Sequence, residues 1–175
     1  MAGIDGGKSM TGATRVFCTR LTGLSPRTLI RAIRMEERKF QVLESELDLD
    51  FETPLWTKLR IVCTNSSAPI AIEHHIARAR GTGVEEETIK FMTLLESVEE
   101  SWGKREVGVY LRLCREMFIL TCEGEADGQT KSMLGKCAAI LARHGEGTVQ
   151  VDDIGFYKKG ELILPLAMDH GTPPR

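Results

Sequence analysis

Arg27, Arg31, Arg34 and Arg38 recur at i, i+4, i+7 and i+11 in the segment SPRTLIRAIRMEERKF. At 100° per residue, four guanidinium groups so spaced lie within about 60° of one another on a helix. Leu29, Ile33 and Phe40 project from the opposite side, with Ile30 at the margin. Ser25 stands where a helix N-cap would accept a hydrogen bond, and Pro26 suits the first helical position. The spacing therefore predicts a helix over about 26–43. A helix with a single apolar wall has to bury that wall against a second layer, so the chain is committed to a layered fold with the arginines turned outward. The fork of a guanidinium suits phosphate and carboxylate better than the point charge of a lysine, which makes these four residues the candidate anion-binding site.

Charge along the chain is uneven. Residues 1–40 balance to +5, residues 41–125 to −7, and residues 126–175 to zero, although the total is only −2. A basic N-terminal part on an acidic body is suited to anion binding at one end or to self-association, because opposite patches attract. At 175 residues and 42% hydrophobic, the chain is of a size to form one core and to bury about 70% of its unfolded surface. The expected organisation is a flexible, Gly/Ser/Thr-rich arm over 1–13, a single globular domain over 14–170 and a loose tail over 171–175.

Along that domain RVFCTRLTG (15–23) has strand composition, and ELDLDF alternates as a short half-exposed strand before Pro54. WTKLRIVCT (56–64) places Leu59, Ile61 and Cys63 on one strand face. A helix is expected from about Pro69 to Gly81. A second helical segment covers GVEEETIKFMTLLESVEESW, with Ile89, Met92 and Leu95 as its buried stripe, widened by Phe91, Leu94 and Val98. VGVYLRLCREMFILTCE (107–123) alternates like a hairpin turning at Arg115 and Glu116. A helix near 130–144 sets Leu134, Cys137, Ala138 and Leu141 at i, i+3, i+4 and i+7 and ends at Gly145. TVQV and the hairpin FYKKGELIL follow, and Pro165 marks the last strand as an edge. Adjacent strands with tight turns favour an α+β fold, an antiparallel sheet with helices mainly on one face.

Catalytic chemistry finds no foothold. Cys18, Cys63, Cys114, Cys122 and Cys137 form no CxxC pair and share no metal-ligand spacing with the four histidines. Set in apolar runs, they read as small core residues. His74 and His75, adjacent on the expected helix, would point about 100° apart, a poor geometry for sharing a metal. Glu85, Glu86 and Glu87 suit the positive end of a helix dipole. GIDGGKS (3–9) lacks the spacing of a phosphate loop and no strand precedes it. Trp56, Tyr110 and Phe118 have no basic clusters between them, so they read as core rather than as stacking platforms. No cofactor, metal or catalytic residue is expected. No apolar run approaches the ~20 residues that a membrane-spanning helix needs.

Two resemblances bear on function. IEHHIARARGTGVEEETI (72–89) resembles the helix–Gly–Glu-rich segment of AhpD and carboxymuconolactone decarboxylase-like proteins, which are all-helical and carry a redox CxxC before the histidine. Here Ala68 and Ala71 occupy that neighbourhood, so this likeness implies a small cytosolic protein without redox chemistry. Over residues 15–143 the chain resembles the matrix proteins of rhabdoviruses, in particular plant-infecting, cytorhabdovirus-like ones. The matching parts are RVFCTRLTG as first strand, SPRTLIRAIRMEERKF as amphipathic helix and WTKLRIVCTNSS as the next strand. VGVYLRLCREMFILTCEGEADGQTKSMLGKCAAILA matches the later hairpin, acidic loop and helix. The matrix likeness implies a structural, non-enzymatic virion protein that condenses a nucleocapsid against the inner face of an envelope during assembly and budding. Its implied partners are a second copy, the viral nucleocapsid, an anionic membrane surface and a glycoprotein tail, with nucleic acid bound without sequence preference. Its implied location is the virion and the host-cell cytoplasm, peripheral to membrane. The chain carries no PPxY or PTAP-type late motif, only GTPPR and SAPI, and its arm has a single lysine, Lys8.

Self-association driven by the +5 and −7 segments should weaken as the Debye length falls from ~10 Å at 0.1 M salt to ~3 Å at 1 M. Sedimentation at high protein concentration reads this directly, and a strict monomer at low salt would rule it out.

Overall fold

The computed structural model describes residues 12–43, 52–77 and 83–166. Its elements are β1 (Thr14–Cys18), α1 (Pro26–Glu36), β2 (Phe40–Val42), β3 (Lys58–Cys63), β4 (Ile70–Ile76), α2 (Gly83–Glu96), α3 (Trp102–Arg112), β5 (Glu116–Cys122), α4 (Gly128–Gly145), β6 (Gly147–Val151), β7 (Gly155–Lys158) and β8 (Glu161–Pro165). The eight strands form one antiparallel sheet in the order β2-β3-β4-β5-β1-β6-β7-β8. This is the α+β architecture that the strand-and-turn pattern implies.

β1 runs through the middle of that sheet, between β5 and β6. Its side chains alternate between faces. Val16 and Cys18 join the larger core under α1 and α4, together with Leu29, Ile33, Ile61, Ile72, Phe118 and Leu141. Phe17 points the other way, into a smaller core with Phe91 and Leu95 of α2, Val107 and Leu111 of α3, Met117 and Phe156. Most helix-to-sheet packing is thus on the α1/α4 face, while the α2–α3 pair covers the second.

Local signals hold where the chemistry is local. Ser25 accepts from the Thr28 N–H at 3.3 Å and Pro26 opens α1. Leu59, Ile61 and Cys63 form the buried side of β3. The β7–β8 turn uses Lys159 and Gly160, both at positive φ, the backbone that a tight hairpin turn requires. β8 is an edge strand, as Pro165 implies. α4 stops where Glu146 turns left-handed at φ 48°. Gly145 before it has a packing role: a Cβ there would lie 2.3 Å from the Cys18 sulfur.

Several expectations are corrected. The described part of the helix expected over 69–81, residues 69–77, is not helical. Ile70–Ile76 is strand β4, and its Ile70, Ile72 and His74 share one face at period two, in the register Ile72↔Leu120 and His74↔Phe118. The AhpD-like reading needed a helix there and loses its basis. Residues 107–123 are not a hairpin: α3 holds the first half, with Val107 and Leu111 buried at i, i+4 and Val109 exposed. Ser101 caps α3 by accepting from the Lys104 N–H. The helix expected over 83–102 is α2, which ends earlier, at Glu96, and the last residue of that segment, Trp102, opens α3. The buried residues of α2 are Val84, Phe91 and Leu95, whereas Ile89 is 58% exposed and Leu94 41%. The first strand spans Thr14–Cys18 rather than 15–23, and α1 ends at Glu36 rather than near 43, because Glu37 is extended and Phe40 begins β2. The alternating segment ELDLDF lies outside the described residues, as do residues 1–11 of the arm and the tail. The described end of the arm is tied down, with the Ala13 N–H donating to Asp152 at 2.8 Å.

α3 lies so close to β8 that a Cβ on Gly103 would fall 1.9 Å from the Ile163 carbonyl oxygen. Gly103→Ala should therefore lift the helix and cost about 1–3 kcal/mol. Gly135→Ala, at a helical site where a Cβ meets open space, should gain up to about 1 kcal/mol. Urea midpoints of the two variants at unchanged slope measure the contrast.

Candidate functional site

α1 presents the arginines as the helical spacing demands, up to its end. Leu29, Ile30 and Ile33 are buried, while Arg27, Arg31 and Arg34 are exposed on the other side. Arg38 lies beyond the C-cap Glu37, so its direction is not set by the periodicity that aligns the other three. The stripe is three helical arginines with a fourth exposed arginine in the connection to β2. Phe40, expected on the apolar wall of α1, is buried from β2 instead.

The surrounding charges matter as much as the alignment. Glu36 and Glu37, the nearest acids in sequence, are turned away onto α4: Arg143 pairs with Glu36 at 2.7 Å and Lys136 with Glu37 at 2.9 Å. The Lys136 hydrogen bond, helped by the Lys39 N–H, holds the Glu37 carboxyl below the usual range. Arg27 reaches Glu52 at 2.6 Å in an exposed pair that salt screens. The Arg34 guanidinium stands 5.8 Å from the centre of the Phe40 ring. Among the described residues, no acid lies within ion-pairing distance of Arg31, Arg34 or Arg38.

Two buried polar constellations have no signature in the sequence. In the first, His74 Nε2 lies 2.7 Å from Glu116 Oε1 and His74 Nδ1 lies 2.9 Å from the Trp56 carbonyl. A carbonyl only accepts, so Nδ1 carries a proton. The imidazole stacks on Phe118 at 4.8 Å and contacts Trp56 at 4.7 Å, and the Trp56 indole N–H donates to the Leu24 carbonyl. The Thr22 N–H and hydroxyl both donate to the Glu116 carboxylate. With side-chain exposures of 1% and 3%, the two groups are engaged with each other and with backbone. A hollow of about 260 Å³ lies beside them, but no polar atom of the pair is left over for a substrate. In the second constellation Arg15 gathers Asp152 at 2.5 Å, Gln150 at 2.9 Å and Glu87 at 2.6 Å. Burial works against the Asp152 charge, and the Ala13 N–H, Gln150 and Arg15 together outweigh it, leaving its carboxyl below the usual range.

On strand β4, His74 and His75 point to opposite faces; His75 is half-buried, beside Gly83 and 3.7 Å from Glu73. Among the described residues, no group of three metal-ligating side chains comes together. All five cysteines are unpaired. Burial raises every one of their pKa values, Cys114 to about 11 and Cys137 to about 12, so they remain thiols at neutral pH. No described helix is long and apolar enough to cross a membrane. Comparison of the chain with family models, with curated proteins and with solved structures returned no match.

Removing one member of a buried hydrogen-bonded His–carboxyl pair strands the other without a partner. Glu116→Ala or His74→Phe alone should cost about 3–5 kcal/mol, while the double variant Glu116→Leu/His74→Phe should recover part of that loss. A double-mutant cycle in urea checks this, and purely additive losses would deny the coupling.

Proposed function

We propose that this is a structural, non-enzymatic protein that attaches to an anionic surface through the exposed face of α1, as a viral matrix protein does in joining a nucleocapsid to the inner face of an envelope. The observation that carries the reading is the unspent charge on α1. Arg31 and Arg34 have no acid partner among the described residues, while the neighbouring acids Glu36 and Glu37 are occupied by α4. A helix held by its buried Leu29 and Ile33 offers these guanidinium groups on a rigid support, so little ordering entropy is lost on binding.

The matrix likeness adds support over β1, α1 and β3, the first three of its four matching parts. Beyond them, α3 stands where the family pattern has the first strand of a hairpin, so the second half of the likeness is weaker. Anion binding rests on α1 itself and does not need that second half. The acidic body limits non-specific adhesion, since residues 41–125 carry a balance of −7.

Near an anionic bilayer each basic residue contributes about 1 kcal/mol, so three aligned arginines supply ~3 kcal/mol. Replacing Arg27, Arg31 and Arg34 together by Gln leaves helix propensity nearly unchanged and the apolar wall intact. The variant should keep its melting temperature and bind phosphatidylserine vesicles or nucleocapsids about a hundredfold less tightly, with Arg38→Gln adding a smaller loss. For single-stranded RNA, each lost phosphate contact should flatten the salt dependence by ~0.7 in log affinity per log salt. Undiminished binding overturns the proposal. Unfolding of the variant would make the arginines structural instead.

A further inference from the structure

On the α4 side of the sheet, α1 covers the flank toward β2 and β3, and α4 lies over the middle. No described element covers β6 and β7 beyond it. The consequence is a groove of about 1130 Å³ along α4, walled by Leu134, Ala138 and Ala142 and floored by Val149, Val151 and Tyr157. Its lining is mainly apolar. From Lys131 to Arg143 the helix runs about 18 Å, so the groove is an elongated slot.

Its polar groups are gathered at the ends. Where α4 finishes, Arg143, Lys158 and Lys159 stand against one acid, Glu146. Arg143 is paired with Glu36, Lys158 with Glu106 and Glu146 with Arg20. Lys159 is exposed and has no acid within ion-pairing distance among the described residues. Toward the start of α4 the lining includes Lys131, and it also includes Asp152, which is already held by Arg15.

The walls restrict what can lie between these ends. α4 satisfies its own backbone, and β6 and β7 are interior strands whose ladders are taken by β1 and β8. An extended peptide would find no backbone partners there. An occupant must be apolar along its length and anionic at one end.

We infer that the groove binds a long-chain amphiphile with an anionic head, specifically a free fatty carboxylate. The tail lies along α4 over Val149 and Tyr157, and the carboxylate meets Lys159 at the mouth. The volume is somewhat above the range usual for small-molecule sites and matches an open slot better than a sealed cavity. This site lies across α4 from the arginine face and does not depend on it.

Titration of the full-length protein with hexadecanoate, read by displacement of a fluorescent fatty-acid probe, tests the assignment. Saturable one-to-one binding is expected, with hexadecanol weaker than hexadecanoate. Gly135→Phe fills the slot from a helical position where a Cβ meets open space, and it should weaken hexadecanoate about tenfold or more. Ala139→Leu on the same wall serves should Gly135→Phe fold poorly. Lys159→Asn keeps a residue that tolerates the positive φ of 51°; it should weaken hexadecanoate severalfold and leave hexadecanol unchanged, whereas Lys131→Gln should do little. Absence of saturable binding, or equal affinity in the filled variants, overturns the inference and leaves the groove to a partner polypeptide. Loss confined to Lys131→Gln would overturn the placement of the head.

Discussion

Everything in this fold hangs on β1 being buried on both faces. Val16, Phe17 and Cys18 are wholly inaccessible, and every residue of the strand pairs on both sides, from Thr14 between Leu120 and Val151 to Cys18 between Glu116 and Gly147. Both neighbours come from far along the chain, so the sheet cannot close until most of the chain has been gathered, and the loop entropy must be met by what the strand then buries. Close packing on β1 explains the glycines at the end of α4: a Cβ at Gly145 would lie 2.3 Å from the Cys18 sulfur, and one at Gly147 would lie 2.7 Å from the Phe17 carbonyl oxygen. The helix can therefore lower its last turn onto β1, and β6 can leave directly to pair with it.

A strand buried on both faces has no easy place for charge, yet β1 carries Arg15 at 8% exposure. The molecule resolves this with Asp152, Gln150 and Glu87, which draw β6 and α2 onto the same side chain. On the opposite face His74 and Glu116 do the same for β4, β5 and the segment containing Thr22. Such groups cost desolvation energy and return little net stability. What they impose is registry: a one-residue slip of β4 against β5 would move His74 to the other face and leave Glu116 without its partner. The two constellations, one on each face, make the wrong alignments of the central strands expensive.

α4 is the element that shapes the two surfaces on its flanks. Its Lys136 and Arg143 hold Glu37 and Glu36, which orients α1 and removes the acids that would otherwise neutralise the arginine face. Its far side, thinned to Gly135, Ala138 and Ala142, leaves the apolar slot over β6 and β7. One helix thereby separates a cationic outer face from an apolar recess.

Wherever the deciding chemistry lies within a few residues, the sequence by itself determined the outcome. Ser25 and Pro26 start α1, Leu59, Ile61 and Cys63 set the face of β3, Cys137, Ala138 and Leu141 set that of α4, and Lys159–Gly160 turns β7 into β8. The exposure of Arg27, Arg31 and Arg34 follows from the same helical period. IAIEHHI and WGKREVGVYLR fit either period, because Ile70 and Ile72 can face a sheet or a helix core and Val107, Val109 and Leu111 alternate as well as they cycle. Only the tertiary structure decided them: β4 fills the gap between β3 and β5, and Gly103 lets a helix reach the backbone of β8. The arginine stripe lost Arg38 because β2 needed Phe40 to pair with Cys63 and join the core, a demand made by residues far from the helix. The His74–Glu116 pair and the groove along α4 bring together side chains from separate strands and helices. Proximity of that kind is created by strand order, and no local spacing encodes it.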